Sequence, residues 1–212
     1  MKTQLRITAM LILGFVSISS YAQVEKGNWF IGGTANIEFN SDKEKVKSGG
    51  NTRDYATYSD FDFRPYVGYF IIDRLPIGLI MDISLDKIKY EDGGEYTDNE
   101  YILGPFVRYY VADFDGFMPF AELSFGFGGG KTTSEYMGNE NENKYSSLNF
   151  KVGVGTTYFV TPNVGFDMFI GYRRNQNTFE IDENVRSSSE DVTYSYGGLD
   201  FNLGIVVSLG GK

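Results

Sequence analysis

Apolar side chains alternate with small or polar side chains along most of this chain. The clearest stretch, residues 148–160, reads LNFKVGVGTTYFV. Successive side chains of a strand point to opposite faces, so Val152 and Val154 share one face while Lys151 lies on the other. A period of two predicts a β-strand with one apolar side.

Eight segments carry this pattern, and their connections alternate between long and short. Long loops at one end and short turns at the other are typical of barrels that span an outer membrane. The predicted strands are residues 28–39, 59–71, 75–88, 99–111, 117–128, 147–160, 164–175 and 196–209. The long connections are residues 40–58, 89–98, 129–146 and 176–195, and the short ones are residues 72–74, 112–116 and 161–163.

The two faces of these segments differ in composition. One face is apolar and is long enough to cross a bilayer, whereas the other carries glycine and charge. We therefore expect an all-β protein, an eight-stranded antiparallel up-and-down transmembrane β-barrel with its apolar face toward lipid. Aromatic residues make up 17% of the chain and there are 26 glycines, as in a tightly packed β-protein with many turns.

The charges on the polar face have both signs and are spread over most strands. Inside a narrow barrel they must neutralise each other, because an unpaired buried charge costs several kcal/mol. We therefore expect ion pairs that fill the lumen. The candidates are Arg64, Asp82, Arg108, Glu122, Lys151, Asp167, Arg173 and Asp200.

Aromatic residues crowd both ends of the apolar face. Membrane proteins concentrate tyrosine and tryptophan at the two membrane–water interfaces, so two interfacial girdles are predicted. The girdle toward the short turns comprises Trp29, Tyr69, Tyr109, Phe117 and Tyr158. The girdle toward the long loops comprises Phe39, Phe61, Tyr101, Phe127 and Tyr172.

Two other barrel types share part of this pattern. A soluble lipocalin-like barrel also alternates, but it turns its apolar face inward around a ligand. A narrow pore for ions or small solutes would have the predicted faces but an open lumen. Eight strands enclose a space only wide enough for side chains, which favours the closed form.

The beginning of the chain has the features of a secretory signal peptide. Lys2 and Arg6 precede an apolar run at residues 7–18, and small residues at Ser20 and Ala22 suit cleavage before Gln23. The expected organisation is a signal peptide at residues 1–22 and an outer-membrane barrel domain at residues 23–212. With no cysteine in the chain, the exported domain has no disulfides to hold it.

Charge and residue content exclude several functions. Lys and Arg number 19 and Asp and Glu number 28, and removing Lys2 and Arg6 leaves 17 against 28, so nucleic acid is not an expected partner. Histidine and cysteine are both absent, so neither a Ser-His nor a Cys-His nucleophile can be assembled. We expect no catalytic site, no cofactor and no metal site.

Several stretches resemble known small outer-membrane β-barrels. They are GNWFIGG at residues 27–33, RPYVGYFIIDRLPIGL at 64–79, PFAELSFGFG at 119–128, VGVGTTYFVTPNVGF at 152–166 and FNLGIVVSL at 201–209. The chain is similar in these motifs to the Gram-negative family that includes OmpX and the OmpA barrel. The resemblance implies the barrel fold and says little about function, because such motifs are strand and turn chemistry.

The expected protein is a non-enzymatic integral barrel of the outer membrane, with extracellular loops and both termini in the periplasm. Its expected role is structural, or lies in surface interaction through the long loops. Expected partners are outer-membrane lipid and lipopolysaccharide, the barrel-insertion machinery, and an unidentified extracellular ligand or surface protein.

Overall fold

A computed structural model describes residues 24–38, 45–48, 51–54, 56–91, 93–179 and 192–210. The predicted signal peptide and the predicted girdle residue Phe39 lie outside these ranges. The strands in the described ranges are β1 Trp29–Glu38, β2 Lys45–Ser48, β3 Asn51–Asp54, β4 Ala56–Ile72, β5 Leu75–Tyr90, β6 Glu95–Tyr110, β7 Phe117–Tyr136, β8 Asn139–Phe159, β9 Val164–Phe179 and β10 Val192–Leu209.

Eight of these strands form one closed barrel in the order β1-β10-β9-β8-β7-β6-β5-β4. Every neighbouring pair is antiparallel, and β1 pairs with both β4 and β10. The predicted eight-stranded up-and-down barrel is confirmed. The part of the chain that the structure describes contains no helix long and apolar enough to cross a membrane.

The barrel closes with a stagger that tilts its strands. Paired residues can be followed from strand to strand around the barrel, starting on β10 at Leu203. The path returns to β10 at Thr193, ten residues away. Such a shear tilts all strands against the barrel axis, typically by about 35–45°. The path runs Leu203, Ala35, Phe63, Ile83, Tyr101, Gly129, Ser146, Thr178, Thr193.

Two predicted long loops are mostly strand. β7 and β8 continue to Tyr136 and from Asn139, so a ladder and a two-residue turn replace the predicted loop 129–146. Met137 and Gly138 both have positive φ, as tight hairpin turns require. β5 and β6 likewise shorten the predicted connection 89–98 to residues 91–94. Both faces are polar beyond the predicted strand ends, so the period of two is invisible there.

The connection between β1 and β4 also differs from a plain loop. It contains the two-stranded sheet β2-β3, which is separate from the barrel. With this pair, the ends of β5-β6 and the long β7-β8 hairpin, most described residues of the loop end lie in strands. The opposite end has only short connections, such as Asp73–Arg74 between β4 and β5.

The faces of the barrel wall are opposite to those of a soluble barrel. Val154 and Leu203 point outward and are exposed, whereas Lys151 and Asp167 point inward and are buried. Some inward positions admit no side chain: a Cβ at Gly104 would meet the backbone of Phe125 and Gly126. An exposed apolar exterior and a charged interior do not fit the lipocalin-like alternative.

Candidate functional site

An ion-paired network occupies the middle of the barrel interior. Arg108 on β6 lies 2.6 Å from Glu122 on β7 and 2.6 Å from Asp167 on β9. All three side chains are buried, with Arg108 only 3% exposed. One guanidinium therefore connects three strands and neutralises part of the charge of two carboxylates.

Hydroxyl groups complete the coordination of Asp167. Tyr66 donates to one carboxylate oxygen at 2.7 Å and Thr157 donates to the other at 2.5 Å. Tyr110 lies 3.1 Å from the Thr157 hydroxyl and 3.2 Å from a nitrogen of Arg108. A buried polar network is stable only when its members are satisfied, and this network meets that condition.

Aromatic rings seal the interior at the short-turn end. The guanidinium of Arg108 lies 3.8 Å from the ring centroid of Phe120 and 4.9 Å from that of Phe30, so cation–π attraction adds to the ion pairs. Phe70 and Tyr110 are stacked beside them. The full buried cluster is Phe30, Tyr66, Phe70, Ile80, Phe106, Tyr110, Met118, Phe120, Phe159, Phe169 and Val206.

Sequence reasoning missed this buried cluster, called here the aromatic plug. Its residues occupy the face that was predicted to carry glycine and charge, such as Phe30 between the outward Trp29 and Ile31. The signal was present in the sequence: near the short turns, aromatic residues stand at both inward and outward positions. A continuous apolar run at a strand end can therefore mean that both faces are apolar.

A second ion-paired group lies on the loop side of the first. Arg64 pairs with Asp82 and lies 3.5 Å from Asp200, and Lys151, 1% exposed, pairs with Asp200. Seven of the eight predicted lumen charges thus lie in two ion-paired groups. Arg173 is the exception, because it forms no ion pair with a described residue.

Between these ion pairs and the loop end, the interior is hollow. A cavity of about 270 Å³ is lined by Thr34, Arg64, Asp82 and Asp200 among others. A second cavity of about 440 Å³ lies nearer the loop end and is lined by four tyrosines, Tyr58, Tyr96, Tyr145 and Tyr196, together with carboxylates. The two cavities share Asp62, Ser84, Glu100 and Arg173, so they form one chamber, called here the acidic chamber.

Carboxylates crowd the wall of the acidic chamber. Asp86 on β5 is directly opposite Asp60 on β4 and Asp98 on β6, and like charges at such cross-strand positions repel. Burial, with repulsion from Asp60, Asp62, Asp98 and Glu100, raises the pKa of Asp86 to about 7. Burial also raises the pKa of Asp98, although the hydrogen bond from Tyr145 opposes this shift.

The geometry offers little for catalysis or metal binding. Among the described residues, no three carboxylates converge closely enough to hold a metal ion. Glu122 and Asp167 are both bound to Arg108, so neither is available as a general base. Instead, the arrangement can fill the lumen and attract cations to the loop side.

The predicted girdle residues within the described ranges all lie on the outward face and are exposed. Trp29 packs edge-on against Tyr69, with 5.4 Å between ring centroids, and Phe117 is the cross-strand partner of Tyr158. These four residues lie next to the short turns. The girdle residues toward the loop end, within the described ranges, are Phe61, Tyr101, Phe127 and Tyr172.

Comparisons with known proteins identify the fold. No protein-family model matches the chain, and no curated protein matches it. The chain is similar to the outer membrane protein OprG from Pseudomonas aeruginosa, with 16% identity, a TM-score of 0.51, and coverage of 90% of this chain and 100% of that one. This likeness shows a shared fold, and at that level it confirms the resemblance to small outer-membrane barrels.

Two further solved structures are similar to the chain with lower TM-scores. Ail, the attachment invasion locus protein of Yersinia pestis, in complex with the heparin analogue sucrose octasulfate, has 13% identity and a TM-score of 0.49, covering 89% of this chain and 100% of that one. Neisserial surface protein A has 19% identity and a TM-score of 0.43, covering 86% of this chain and 97% of that one.

Proposed function

We propose that this chain is a non-enzymatic integral outer-membrane protein with a closed lumen, which acts structurally or through contacts of its loop end. The observation that carries the proposal is the combination of an apolar exterior with an interior that is filled from the ion-paired groups to the short turns. In water an exterior of this kind would promote association, whereas in a bilayer it is the stable arrangement.

The exposed apolar side chains form a belt around the barrel. Its members include Leu79 on β5, Leu103 on β6, Leu123 on β7, Val154 on β8 and Leu203 on β10, each at least 42% exposed. An outer-membrane barrel needs an apolar band about 25 Å tall between aromatic girdles. The belt and the exposed aromatic residues at its two ends support the proposed location in the outer membrane.

The filled interior argues for a closed barrel over a narrow pore. An ion must pass the paired side chains of Arg64, Asp82 and Asp200, then the Arg108 network, and then the aromatic plug. Each of these layers is held from several strands, so a side-chain rotation does not open a continuous path. We therefore expect no steady ion conductance.

Basic side chains on the outward face support the proposed orientation. Arg174 follows Tyr172 beyond the girdle toward the long loops, and Lys131 and Lys144 are cross-strand partners further out. Glu142 lies 2.5 Å from Lys131 and 3.9 Å from Lys144, so these two lysines share one carboxylate. Such a basic level suits the phosphate groups of lipopolysaccharide, which we propose as a lipid partner of the loop end.

We also propose how the chain is assembled and oriented in the membrane. Residues 1–22 act as the signal peptide, and the barrel-insertion machinery is the partner during assembly. The short turns and both termini then face the periplasm, and the strand-built end faces outward. An extracellular ligand or surface protein is the remaining partner to be identified.

Refolding into lipid vesicles and planar-bilayer recording tests the proposal. We expect the barrel to insert, to migrate differently on gels before and after boiling, and to give no steady current. Glu122→Gln and Lys151→Met are the matched variants, because both alter the charges of the filled interior. Steady wild-type conductance that responds to either substitution would replace the closed form by the narrow pore, and failure to insert would end the membrane assignment.

A further inference from the structure

The described wall of the acidic chamber carries more carboxylates than cationic groups. Among the described residues, five carboxylates and the guanidinium of Arg173 line the part toward the loop end. The carboxylates are those of Asp60, Asp62, Asp86, Asp98 and Glu100. None of the five forms an ion pair with a lysine or arginine in the described ranges. At neutral pH the chamber wall therefore repels itself, and a cation that entered would relieve this repulsion.

The end of the chamber next to the ion-paired groups contains a buried hydroxyl that has no hydrogen-bond partner among the described residues. Thr34 is 6% exposed and points inward from β1, and its hydroxyl oxygen has no hydrogen-bond partner among the described residues. It lines the chamber beside Asp62 and Asp200. A buried hydroxyl without a partner is uncommon in a folded protein, and this one can accept a hydrogen bond from a donor in the chamber.

The shape of the chamber distinguishes between kinds of cation. Asp60, Asp86 and Asp98 stand side by side on three neighbouring strands, and adjacent strands are about 4.7–4.9 Å apart. Their carboxylates therefore form a row along the wall, and no three of the described acids converge on one point. A row of acceptors suits a cation with several N–H donors better than a bare metal ion.

The tyrosines around the row suit the same kind of ligand. Tyr96 and Tyr58 occupy β6 and β4 at the level next to the row, and Tyr145 and Tyr196 line the chamber from β8 and β10. Aromatic faces attract ammonium and guanidinium groups, most strongly where water is excluded. Tyr145 also donates a 2.7 Å hydrogen bond to Asp98, which fixes one carboxylate of the row.

We propose that the acidic chamber binds a small organic cation carrying ammonium or guanidinium groups, held by Asp60, Asp86 and Asp98 and by the neighbouring tyrosine rings. The two ion-paired groups below close the chamber, so a ligand enters and leaves by the loop end. The inference goes beyond the proposed function and applies equally to a barrel folded in detergent, whichever way it is oriented in a membrane.

Calorimetric titration of the detergent-folded barrel tests the proposal, with spermidine and argininamide as probes at about pH 8. We expect saturable binding of at least one probe at a single site. Asp86→Asn combined with Asp98→Asn should weaken it by about tenfold or more, because charge-assisted hydrogen bonds are lost. These substitutions also remove mutual repulsion, so the variant should stay folded, and a melting curve checks this.

The matched control removes two carboxylates elsewhere. Glu135 and Glu140 are cross-strand partners on the outer part of the β7-β8 hairpin, and both are exposed. Glu135→Gln combined with Glu140→Gln changes the net charge by the same amount, so we expect less than about a twofold effect on a local site. Equal weakening by both double variants would reduce the binding to general electrostatic attraction and overturn the proposal.

Three further results either support or overturn the proposal. Weaker binding at about pH 5.5 supports the proposal, because Asp86 is then protonated beside Asp60 and Asp62 on β4, Asp98 and Glu100 on β6, and Arg173 on β9. No saturable binding of either probe overturns it. A titration with magnesium chloride alone that saturates one site more tightly than the amines also overturns it, in favour of a metal ion.

Discussion

Arg108 and Asp167 form a 2.6 Å ion pair between β6 and β9, two barrel strands that share no hydrogen-bonded edge. The pair crosses the interior and fastens opposite parts of the wall to each other. Because Asp167 also accepts hydrogen bonds from Tyr66 and Thr157, four strands meet at one carboxylate. The network around Asp167 therefore ties four strands of the barrel together across its interior.

Removing the central cation should destabilise the barrel strongly. Arg108→Met leaves Glu122 and Asp167 buried without their cation, and breaking a buried pair in this way costs about 3–5 kcal/mol. Denaturant unfolding of the barrel in vesicles measures the free energy of unfolding. The control is Lys144→Met, which removes an exposed lysine, and exposed pairs contribute only about 0–1 kcal/mol. A loss for Arg108→Met no larger than for Lys144→Met would contradict the structural role of the network.

A charge in the apolar belt should impair insertion. Val154 is 58% exposed at the outward face of β8, and lysine at the middle of a bilayer costs about 2–4 kcal/mol in a barrel. We expect Val154→Lys to lower the fraction that folds into vesicles, measured by gel migration without boiling. Asn141→Lys changes the same strand beyond the belt and should have no effect. Equal folding of the two variants would mean that the faces of β8 are assigned wrongly.

Glycine in the barrel wall is required where neighbouring backbones approach closely. A Cβ at Gly104 would meet the backbone of Phe125 and Gly126, whereas one at Gly198 would meet nothing within 4 Å. We therefore expect Gly104→Ala to destabilise the barrel and Gly198→Ala to be neutral, or to stabilise it by about 0.4–1 kcal/mol through lower entropy of the unfolded chain. Thermal unfolding of the two variants compares them. A melting temperature for Gly104→Ala equal to that of the wild type would refute the close approach.

The stability of the loop end should depend on pH. The pKa of Asp86 in the folded barrel is raised to about 7 by burial and neighbouring carboxylates, above the ordinary value of about 3.9. The folded state therefore binds the proton more tightly, so stability falls as pH rises from about 4 to about 7 and is level above that. Asp86→Asn should flatten this part of the profile and raise the melting temperature at about pH 8.

The control for the pH profile is Glu140→Gln, which removes an exposed carboxylate outside the chamber. Melting temperatures are measured across the same pH range for the wild type and both variants. A profile for Asp86→Asn that keeps the wild-type slope would show that repulsion within the row of carboxylates is not its source.

Much of the fold could be predicted because the wall of a barrel is encoded locally. At 148–160 the alternation alone assigns Val152 and Val154 to one face and Lys151 to the other, since successive side chains of any strand point to opposite faces. The same local rule fails past Gly129 and before Asn99, where both faces are polar. Strand pairing, which the sequence pattern does not display, decides that β7 and β8 continue to the turn at Met137.

The sequence by itself determined the membrane-level parts of the eight barrel strands, their apolar exterior and the types of charge inside, because these follow from a period of two and from residue chemistry. Only the tertiary structure decided which charges meet, since the stagger of the closed barrel sets the level of each residue on its strand. That stagger brings Asp167 to Arg108, leaves Arg173 without an ion pair among the described residues, and aligns Asp60, Asp86 and Asp98 across three strands.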